Sequence, residues 1–424
     1  MKLMVYSHDA FGLGNIRRMM AICHYLLDTV PNLSVLLVSG SPVLHSFRMH
    51  QGLDYVKIPC LGRNEHGRLA TKYLQTEVDD TVTLRAELLK TAAANFRPDA
   101  LMVDKKPYGL MGELKQTLSS LKTHLPQTKL ILLLRDILDA PAATIADWQA
   151  HNYYQVLAEL YDRILVVGTP EIFDPIVEYQ FPDAVAEKVR FCSYIRRELG
   201  LKSPHQLRQE LRVQPGERLV LVTPGGGGDG YRLVDTYIKG LSGLATQQRI
   251  KSFIVFGPEM PRLQREELLE AVHHHPNVQL YEFTDDIASY MEAADVVVSM
   301  GGYNTICEIL TLNKRAVVVP RIRPVEEQWI RAQRMANLNL FKVIHPERLT
   351  PENLKEGVLA QLDSSAPPSF QEHLNALPRI EQEIYRLLLP KVSPQLYRPP
   401  FSHRQQAATE FLNYPQAIAT PIQS

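Results

Sequence analysis

The stretch at residues 294–308 of this 424-residue chain reads ADVVVSMGGYNTICE. Its apolar run VVVS is typical of a short buried strand, and Gly301 and Gly302 follow almost at once. A helix is predicted to begin near Asn304 or Thr305, since both are good N-cap residues. The stretch therefore predicts a strand, a tight glycine turn and a helix, which is the repeating unit of a parallel α/β sheet.

The same stretch predicts a nucleotide site. The first N–H groups of the helix can hold a diphosphate. Glu308 lies about one turn further on, where its carboxylate can accept hydrogen bonds from both hydroxyls of a ribose. The alternative for Glu308 is an acid that only caps the helix.

Apolar runs like this one alternate with amphipathic stretches through most of the chain. In the first half the predicted strands are 3–6, 34–38, 100–103, 129–134 and 164–167, and helices are predicted at 16–29, 81–95 and 111–125. In the second half the strands are 219–223, 252–256, 278–281, 296–299 and 316–319. Continuously apolar strands between helices predict doubly wound parallel sheets, buried on both faces.

The length also exceeds what one hydrophobic core usually serves, so two such domains are expected. We place a first Rossmann-like domain at 1–195 and a second at 196–365, separated by a polar stretch. The remaining residues, 366–424, are predicted to form one helix and a tail rich in Pro and Gln.

Composition excludes several classes of protein. Lys and Arg number 46, as do Asp and Glu, so the basic excess expected of a nucleic-acid-binding protein is missing. Neither a signal peptide nor an apolar run long enough to cross a membrane is evident. The four cysteines are far apart in the sequence, which is typical of a cytoplasmic protein with reduced thiols; they are Cys23, Cys60, Cys192 and Cys307.

A second glycine turn lies near the start of the chain, where residues 7–18 read SHDAFGLGNIRR. Gly12 and Gly14 resemble a dinucleotide-binding turn, but Arg17 occupies the position of its third glycine. An acidic residue is also missing after the second strand, so an NAD site is not expected. A plain turn between strand and helix is the alternative. A functional site is favoured because four polar side chains crowd this turn: His8, Asp9, Asn15 and Arg17.

A third glycine turn, TPGGGGDG at 223–230, follows the first strand of the second half. Each glycine costs roughly 0.5 kcal/mol or more relative to alanine, which favours close approach of the backbone to a ligand. We assign Gly226, Gly227 and Gly228 to the nucleotide site, with a flexible linker as the alternative. The Gly-Lys-Ser/Thr ending of an ATP-hydrolysing loop is missing.

Residues 294–308, followed by Pro320, 326–328 and 331–332, resemble the C-terminal domain of glycosyltransferase family 28. That family includes the bacterial enzyme that adds N-acetylglucosamine to the undecaprenyl-linked peptidoglycan precursor. In the first half only the glycine turn at 7–18 is similar. The resemblance implies the GT-B fold, in which two Rossmann-like domains face a central cleft.

The resemblance also implies roles for individual residues. Glu308 would bind the ribose, and Thr305 with the amides around Gly301, Gly302 and Asn304 would bind the diphosphate. Glu327 and Gln328 would contact the donor sugar, and Phe283 would pack on the base. The implied donor is a nucleotide-diphosphate sugar, with UDP favoured, and neither a cofactor nor a metal ion is expected because amides and the helix dipole stabilise the departing diphosphate.

One position departs from the family. The first glycine turn usually ends Gly-His, whereas this chain has Asn15, which cannot accept a proton at neutral pH. We assign the role of catalytic base to Asp9 and His8 instead. Gly12, Gly14, Asn15 and Arg17 are assigned to the acceptor side.

The acceptor is a hydroxyl compound that the sequence does not identify, and a lipid-linked one is among the candidates. Lys105 follows a first-half strand and is a candidate for steering an anionic acceptor, with a solvated loop as the equal alternative. The apolar residues 108–111 are candidates for peripheral contact with the inner face of a membrane, although helix burial is favoured. The expected location is the cytoplasm.

The predicted function is therefore transfer of a hexose from a nucleotide-diphosphate sugar to a hydroxyl, with inversion and without metal. One alternative is a nucleotide-sugar 2-epimerase, which shares the fold. The other is a nucleotide-sugar-binding GT-B protein without catalysis, which Asn15 favours.

Overall fold

The computed structural model describes residues 1–7, 14–47, 49–63, 69–245 and 249–389. Two parallel sheets form the centres of two α/β domains. The predicted Pro/Gln-rich tail, with His8, Asp9 and Gly12, lies outside the described residues.

The first domain contains nine strands and seven α-helices within the described chain. The strands are β1 (Lys2–Ser7), β2 (Ser34–Ser39), β3 (Leu53–Lys57), β4 (Leu61–Arg63), β5 (Leu69–Thr71), β6 (Ala100–Asp104), β7 (Lys129–Arg135), β8 (Arg163–Val167) and β9 (Val189–Phe191). The helices are α1 (Gly14–Thr29), α2 (Val78–Phe96), α3 (Lys115–His124), α4 (Pro141–Ala150), α5 (Tyr153–Leu160), α6 (Pro175–Glu178) and α7 (Asp183–Ala186). Seven strands form a parallel sheet in the order β3-β2-β1-β6-β7-β8-β9, and β4 pairs antiparallel with β5.

The second domain repeats this plan. Its strands are β10 (Arg218–Thr223), β11 (Ile250–Val255), β12 (Val278–Tyr281), β13 (Val296–Ser299), β14 (Ala316–Val318) and β15 (Lys342–Val343), in the order β12-β11-β10-β13-β14-β15. Its helices are α8 (Pro204–Glu210), α9 (Tyr231–Ala245), α10 (Arg262–Val272), α11 (Ile287–Ala293), α12 (Tyr303–Thr311), α13 (Glu327–Asn337) and α14 (Pro351–Asp363). One more helix, α15 (Ala376–Leu388), follows this domain.

The predicted α/β fold with two doubly wound sheets is confirmed. In β10, Leu219 and Leu221 belong to one apolar cluster while Val220 and Val222 belong to another, so the second sheet is buried on both faces. The helix predicted at 111–125 is wrong at its start, because positive φ angles at Met111 and Gly112 break it. A short 3-10 turn precedes α3 instead.

Both sheets change direction beside their first strand. From β1 the chain builds β2 and β3 on one side and then crosses to β6 on the other, and from β10 it crosses in the same way to β13. Ligands of open α/β sheets bind in the crevice that such a switch leaves at the carboxyl ends of the strands. The carboxyl ends of β1, β10 and β13 all lie at switch points, and in the sequence a glycine-rich segment follows each of these strands.

Helix α13 of the second domain docks on the first domain through buried charges. The guanidinium of Arg331 is fully buried and bonds both oxygens of Asp136, at 2.6 and 2.8 Å, just after β7. It also donates to the Gly301 carbonyl and to the Glu327 carboxylate. One turn along, the half-exposed Arg334 bonds Glu178. The two domains are thus held together at the carboxyl edges of their sheets.

Helix α15 returns the chain to the first domain. The carboxylate of Glu383 is buried and forms ion pairs with Arg163 and Arg190, which belong to β8 and β9. The N–H of Ala376 donates to the carbonyl of Tyr194. The end of the described chain is therefore packed against the first sheet.

Two arginines of α13 offer a matched test of the interface. Replacing Arg331 by Met leaves Asp136 buried without its cation, so the free energy of unfolding should fall by about 3–5 kcal/mol. Replacing Arg334 by Met removes a partly exposed pair with Glu178 and one bond to the Ile172 carbonyl, and should cost only about 1–2 kcal/mol. Urea denaturation followed by circular dichroism measures both, and equal losses would contradict a dominant role for Arg331.

Candidate functional site

The turn between β13 and α12 has the predicted shape but a different helix start. Gly302 is the N-cap, with extended φ and ψ of −60° and 141°, and α12 begins at Tyr303. The expectation that Asn304 or Thr305 would cap the helix is wrong, because the helix already begins at Tyr303 and its N-cap is a glycine, which makes no side-chain bond. The amides of Tyr303, Asn304 and Thr305 consequently form the first turn and lack helical acceptors.

The two glycines of this turn serve different purposes. A Cβ on Gly301 would lie 3.3 Å from the Gln328 carbonyl and 3.4 Å from the Cβ of Pro320, so Gly301 permits close packing. A Cβ on Gly302 would meet nothing within 4 Å. The N–H of Gly302 already bonds the Met300 carbonyl, which leaves anion binding to the amides that follow.

Glu308 faces the first domain. Its side chain is 6% exposed, and its Oε1 lies 3.2 Å from Nη2 of Arg17. Nearby, the side-chain Nδ2 of Asn304 donates to the carbonyl of Gly14 at 3.0 Å. The structure thus brings the turn before α12 and the start of α1 together, although they were assigned to donor and acceptor sides.

Asn15, which replaces the family's histidine, is tied to a buried arginine. Its Oδ1 accepts a hydrogen bond from Arg18 at 3.3 Å, and Arg18 forms a 2.6 Å ion pair with Asp104. Both partners of that ion pair are almost fully buried. Asn15 therefore belongs to a polar network at the carboxyl ends of β1 and β6.

Tyr303 is a site residue that sequence reasoning missed. The guanidiniums of Arg18 and Arg331 lie over its ring, at 5.9 and 5.6 Å from the centroid. Its hydroxyl donates to the Val167 carbonyl of the first domain at 3.0 Å. Burial raises the pKa of Tyr303 well above its usual value, so it stays a neutral donor. An aromatic residue at a helix start gives no local sign of such a contact.

Glu327 and Gln328, the predicted contacts to the donor sugar, open α13. Glu327 is buried and lies 2.6 Å from Arg331 and 3.4 Å from Arg135 of the first domain. Burial opposes its charge, but the surrounding arginines prevail and lower the pKa of Glu327 to about 2. The amide oxygen of Gln328 accepts from the backbone N–H of Arg321 at 3.0 Å. The two side chains thus order the loop before α13.

Lys105 occupies the carboxyl end of β6, next to Arg135 at the end of β7. Its backbone has a positive φ of 70°, and its side chain is half-buried. Burial, assisted by the charge of Arg135, lowers the pKa of Lys105 to about 8. Lys105 is therefore partly removed from solvent at this edge of the sheet, and its predicted contact with an acceptor stays a prediction.

The glycine loop after β10 packs tightly on the chain after β11. Gly227 has a φ of 92°, and a Cβ there would lie 2.2 Å from the Phe256 carbonyl. A Cβ on Gly226 would lie 3.0 Å from Glu259, whereas Gly228 has ordinary clearance. Backbone packing therefore accounts for Gly227 without a ligand. Asp229 links the loop to Arg321 at 3.3 Å.

Phe283 is half-exposed just after β12. Strands β12 and β13 are three positions apart in the sheet, which corresponds to roughly 14 Å. The predicted contact of Phe283 with the base stays a prediction.

The described residues contain neither a cluster of metal-binding side chains nor a membrane-spanning helix. They include no group of three or more His, Cys, Asp or Glu that could hold a metal ion. In the same part of the chain, no helix is both long and apolar enough to cross a membrane.

Two glycines of one loop provide a test of the packing argument. Gly227→Ala combines a positive φ with a collision against the Phe256 carbonyl, so we expect a loss of roughly 2–5 kcal/mol in the free energy of unfolding. Gly225→Ala has a similar φ of 86° but open space, so only about 1–2 kcal/mol should be lost. Urea titrations of both variants decide the matter, and a larger loss at Gly225 would refute the packing argument.

Comparison with known proteins finds glycosyltransferases of similar sequence. Residues 219–384 match the Glycosyltransferase family 28 C-terminal domain. An uncharacterized glycosyltransferase, MK0977 of Methanopyrus kandleri, is 28% identical over 50% of this chain and 57% of its own length. The UDP-N-acetylglucosamine--N-acetylmuramyl-(pentapeptide) pyrophosphoryl-undecaprenol N-acetylglucosamine transferase of Haemophilus ducreyi is 20% identical over 68% of this chain and 80% of that protein.

Solved structures share the whole architecture. The MurG of Acinetobacter baumannii has a TM-score of 0.57 at 16% identity, covering 90% of this chain and 98% of that one. A UDP-N-acetylglucosamine 2-epimerase from Listeria monocytogenes, itself assigned only provisionally, has a TM-score of 0.60 at 13% identity, covering 91% and 95%. At these identities the similarity shows the fold alone. The chain has the GT-B fold and resembles the glycosyltransferases of family 28, with a domain similar to the family's C-terminal domain at residues 219–384.

Proposed function

We propose that this chain is a glycosyltransferase that moves a hexose from a nucleotide-diphosphate sugar to a hydroxyl acceptor, with inversion and without a metal ion. The observation that supports it best is the position of Glu308. A buried carboxylate lies about one turn behind the open first amides of α12, at the switch point of the second sheet. Amides for a diphosphate and a carboxylate for a ribose are thus spaced as a nucleotide requires.

A UDP-sugar is the favoured donor. The Haemophilus relative uses UDP-N-acetylglucosamine by its name, and its acceptor is linked to undecaprenol. A lipid-linked acceptor would place this chain in the cytoplasm with peripheral contact to the inner face of a membrane. Lys105 and Arg135 would then face the anionic part of such an acceptor.

The donor sugar would lie between the first turn of α12 and the start of α13. A carboxylate can accept about four hydrogen bonds, so Glu327 can serve a sugar hydroxyl while it holds Arg135 and Arg331. Gln328 uses its amide oxygen for Arg321, which leaves its NH₂ group for the sugar. Both residues therefore suit the role that the family resemblance implies.

The transfer step is a single displacement. The acceptor oxygen attacks the anomeric carbon while the bond from that carbon to the β-phosphate oxygen breaks, and the electron pair leaves with the nucleoside diphosphate. The acceptor's proton passes to a base, for which we propose Asp9 with His8, in the segment that joins β1 to α1. One attack from the opposite face inverts the anomeric centre.

Replacing Glu308 tests this function. In Glu308→Ala the ribose loses bonds to a charged acceptor, so affinity for UDP should fall roughly 10- to 100-fold. Glu308→Gln keeps one oxygen and should lose less. Isothermal titration with UDP, GDP and TDP measures the affinities. The control is Glu356→Gln, which neutralises an exposed acid on α14 and should change nothing.

The alternatives give different results in the same system. Unchanged affinity of Glu308→Ala for all three nucleotides would refute the nucleotide site. A 2-epimerase would convert UDP-N-acetylglucosamine to its isomer without any acceptor. A binding protein without catalysis would hold the donor tightly and yield no product with any acceptor or with water.

A further inference from the structure

The function proposed above gives no role to the ion pair between Arg17 and Glu308. The two residues are 291 positions apart and belong to different domains. The carboxylate is 6% exposed, while the guanidinium is 37% exposed. Arg17 therefore reaches from the solvent side of the crevice to a nearly buried acid.

Local helix stability does not explain Arg17. The first turn of α1 contains Arg17 but no acidic residue, and Arg18 follows directly. Cations near a helix N-terminus are disfavoured by the helix dipole. Arg18 is compensated by its buried ion pair with Asp104, whereas Arg17 turns outward across the domain boundary. The position thus costs stability in α1, and its benefit lies at the interface.

The pair competes with a nucleotide for the same group. A ribose would donate to the carboxylate oxygens of Glu308, and Oε1 is already bonded by Arg17. If both ribose hydroxyls bond Glu308, they need both oxygens of a carboxylate whose side chain is only 6% exposed, so the ribose would displace the guanidinium from Oε1. Arg17 must then find another anion or lose the energy of the pair.

A nucleoside diphosphate supplies that anion close by. Its phosphates would lie at the first amides of α12, about one helical turn from Glu308. Asn304, in that first turn, already bonds the Gly14 carbonyl at the start of α1. The side chain of Arg17 therefore needs only a rotation of its long stem to reach the phosphates, and its planar fork matches two phosphate oxygens.

We propose that Arg17 exchanges partners when the donor binds, and this inference rests on the nucleotide site proposed above. Without nucleotide, Arg17 neutralises Glu308. With nucleotide, the ribose takes Glu308 and the guanidinium moves to the diphosphate. Arg17 thereby becomes a donor-site residue contributed by the first domain, and it selects nucleoside diphosphates over nucleosides.

The test compares uridine with UDP. In Arg17→Gln, affinity for UDP should fall roughly 10- to 100-fold, because a charge-assisted bond to the phosphates is lost. Affinity for uridine should stay the same or rise, because Glu308 no longer has to release a cation. Arg17→Lys keeps the charge without the fork and should lie between the wild type and Arg17→Gln. Isothermal titration gives each constant, and Lys90→Gln removes a half-exposed charge from α2 as the control.

The outcomes separate this inference from the proposed function. If wild-type protein binds UDP and Arg17→Gln binds it equally well, the exchange is refuted. Equal weakening of UDP and uridine would also refute it, since Arg17 would then only support the shape of the site. If wild-type protein binds neither ligand, the nucleotide site itself fails and the exchange with it.

Discussion

The geometry of the site depends on one buried guanidinium. Arg331 reaches Asp136 in the first domain and, in its own domain, the Gly301 carbonyl and Glu327. A charge removed from water is tolerated only when its donors are satisfied, and these partners satisfy them. Because Gly301 belongs to the turn before α12, the contact that joins the domains also orders the proposed donor turn.

This arrangement makes one site from two halves of the chain. Tyr303 lies under Arg331 and Arg18 and bonds the Val167 carbonyl, so the start of α12 is anchored to the first sheet. With the turn fixed in this way, Glu308 faces α1. A motif that resembles a nucleotide site in the second domain thus obtains a cation from the first, and neither domain alone would contain both charges.

The central parallel strands were predictable because each is a continuous apolar run, as a strand buried on both faces requires. Strands β3 and β15 were missed since they are short, partly exposed edge strands. The Gly301–Glu308 turn was found from local chemistry, although its helix start depends on an extended glycine. The pairing of Glu327 with Arg331, four residues apart, follows a local rule, but no local rule joins Arg17 to Glu308.

Glycine alone is a weak sign of a ligand site, and the two second-domain loops show why. At Gly227 and Gly301 a side chain would collide with neighbouring backbone or lie tightly against it, so close packing explains both. At Gly225 and Gly302 a side chain would meet nothing within 4 Å. These two glycines follow the neighbouring strands β10 and β13, between which the sheet changes direction. The open space beside them therefore lies in the crevice where open α/β sheets bind their ligands. The positive φ of 86° explains Gly225 without a ligand, so Gly302, with an ordinary φ and open space beside it, is the more informative of the two.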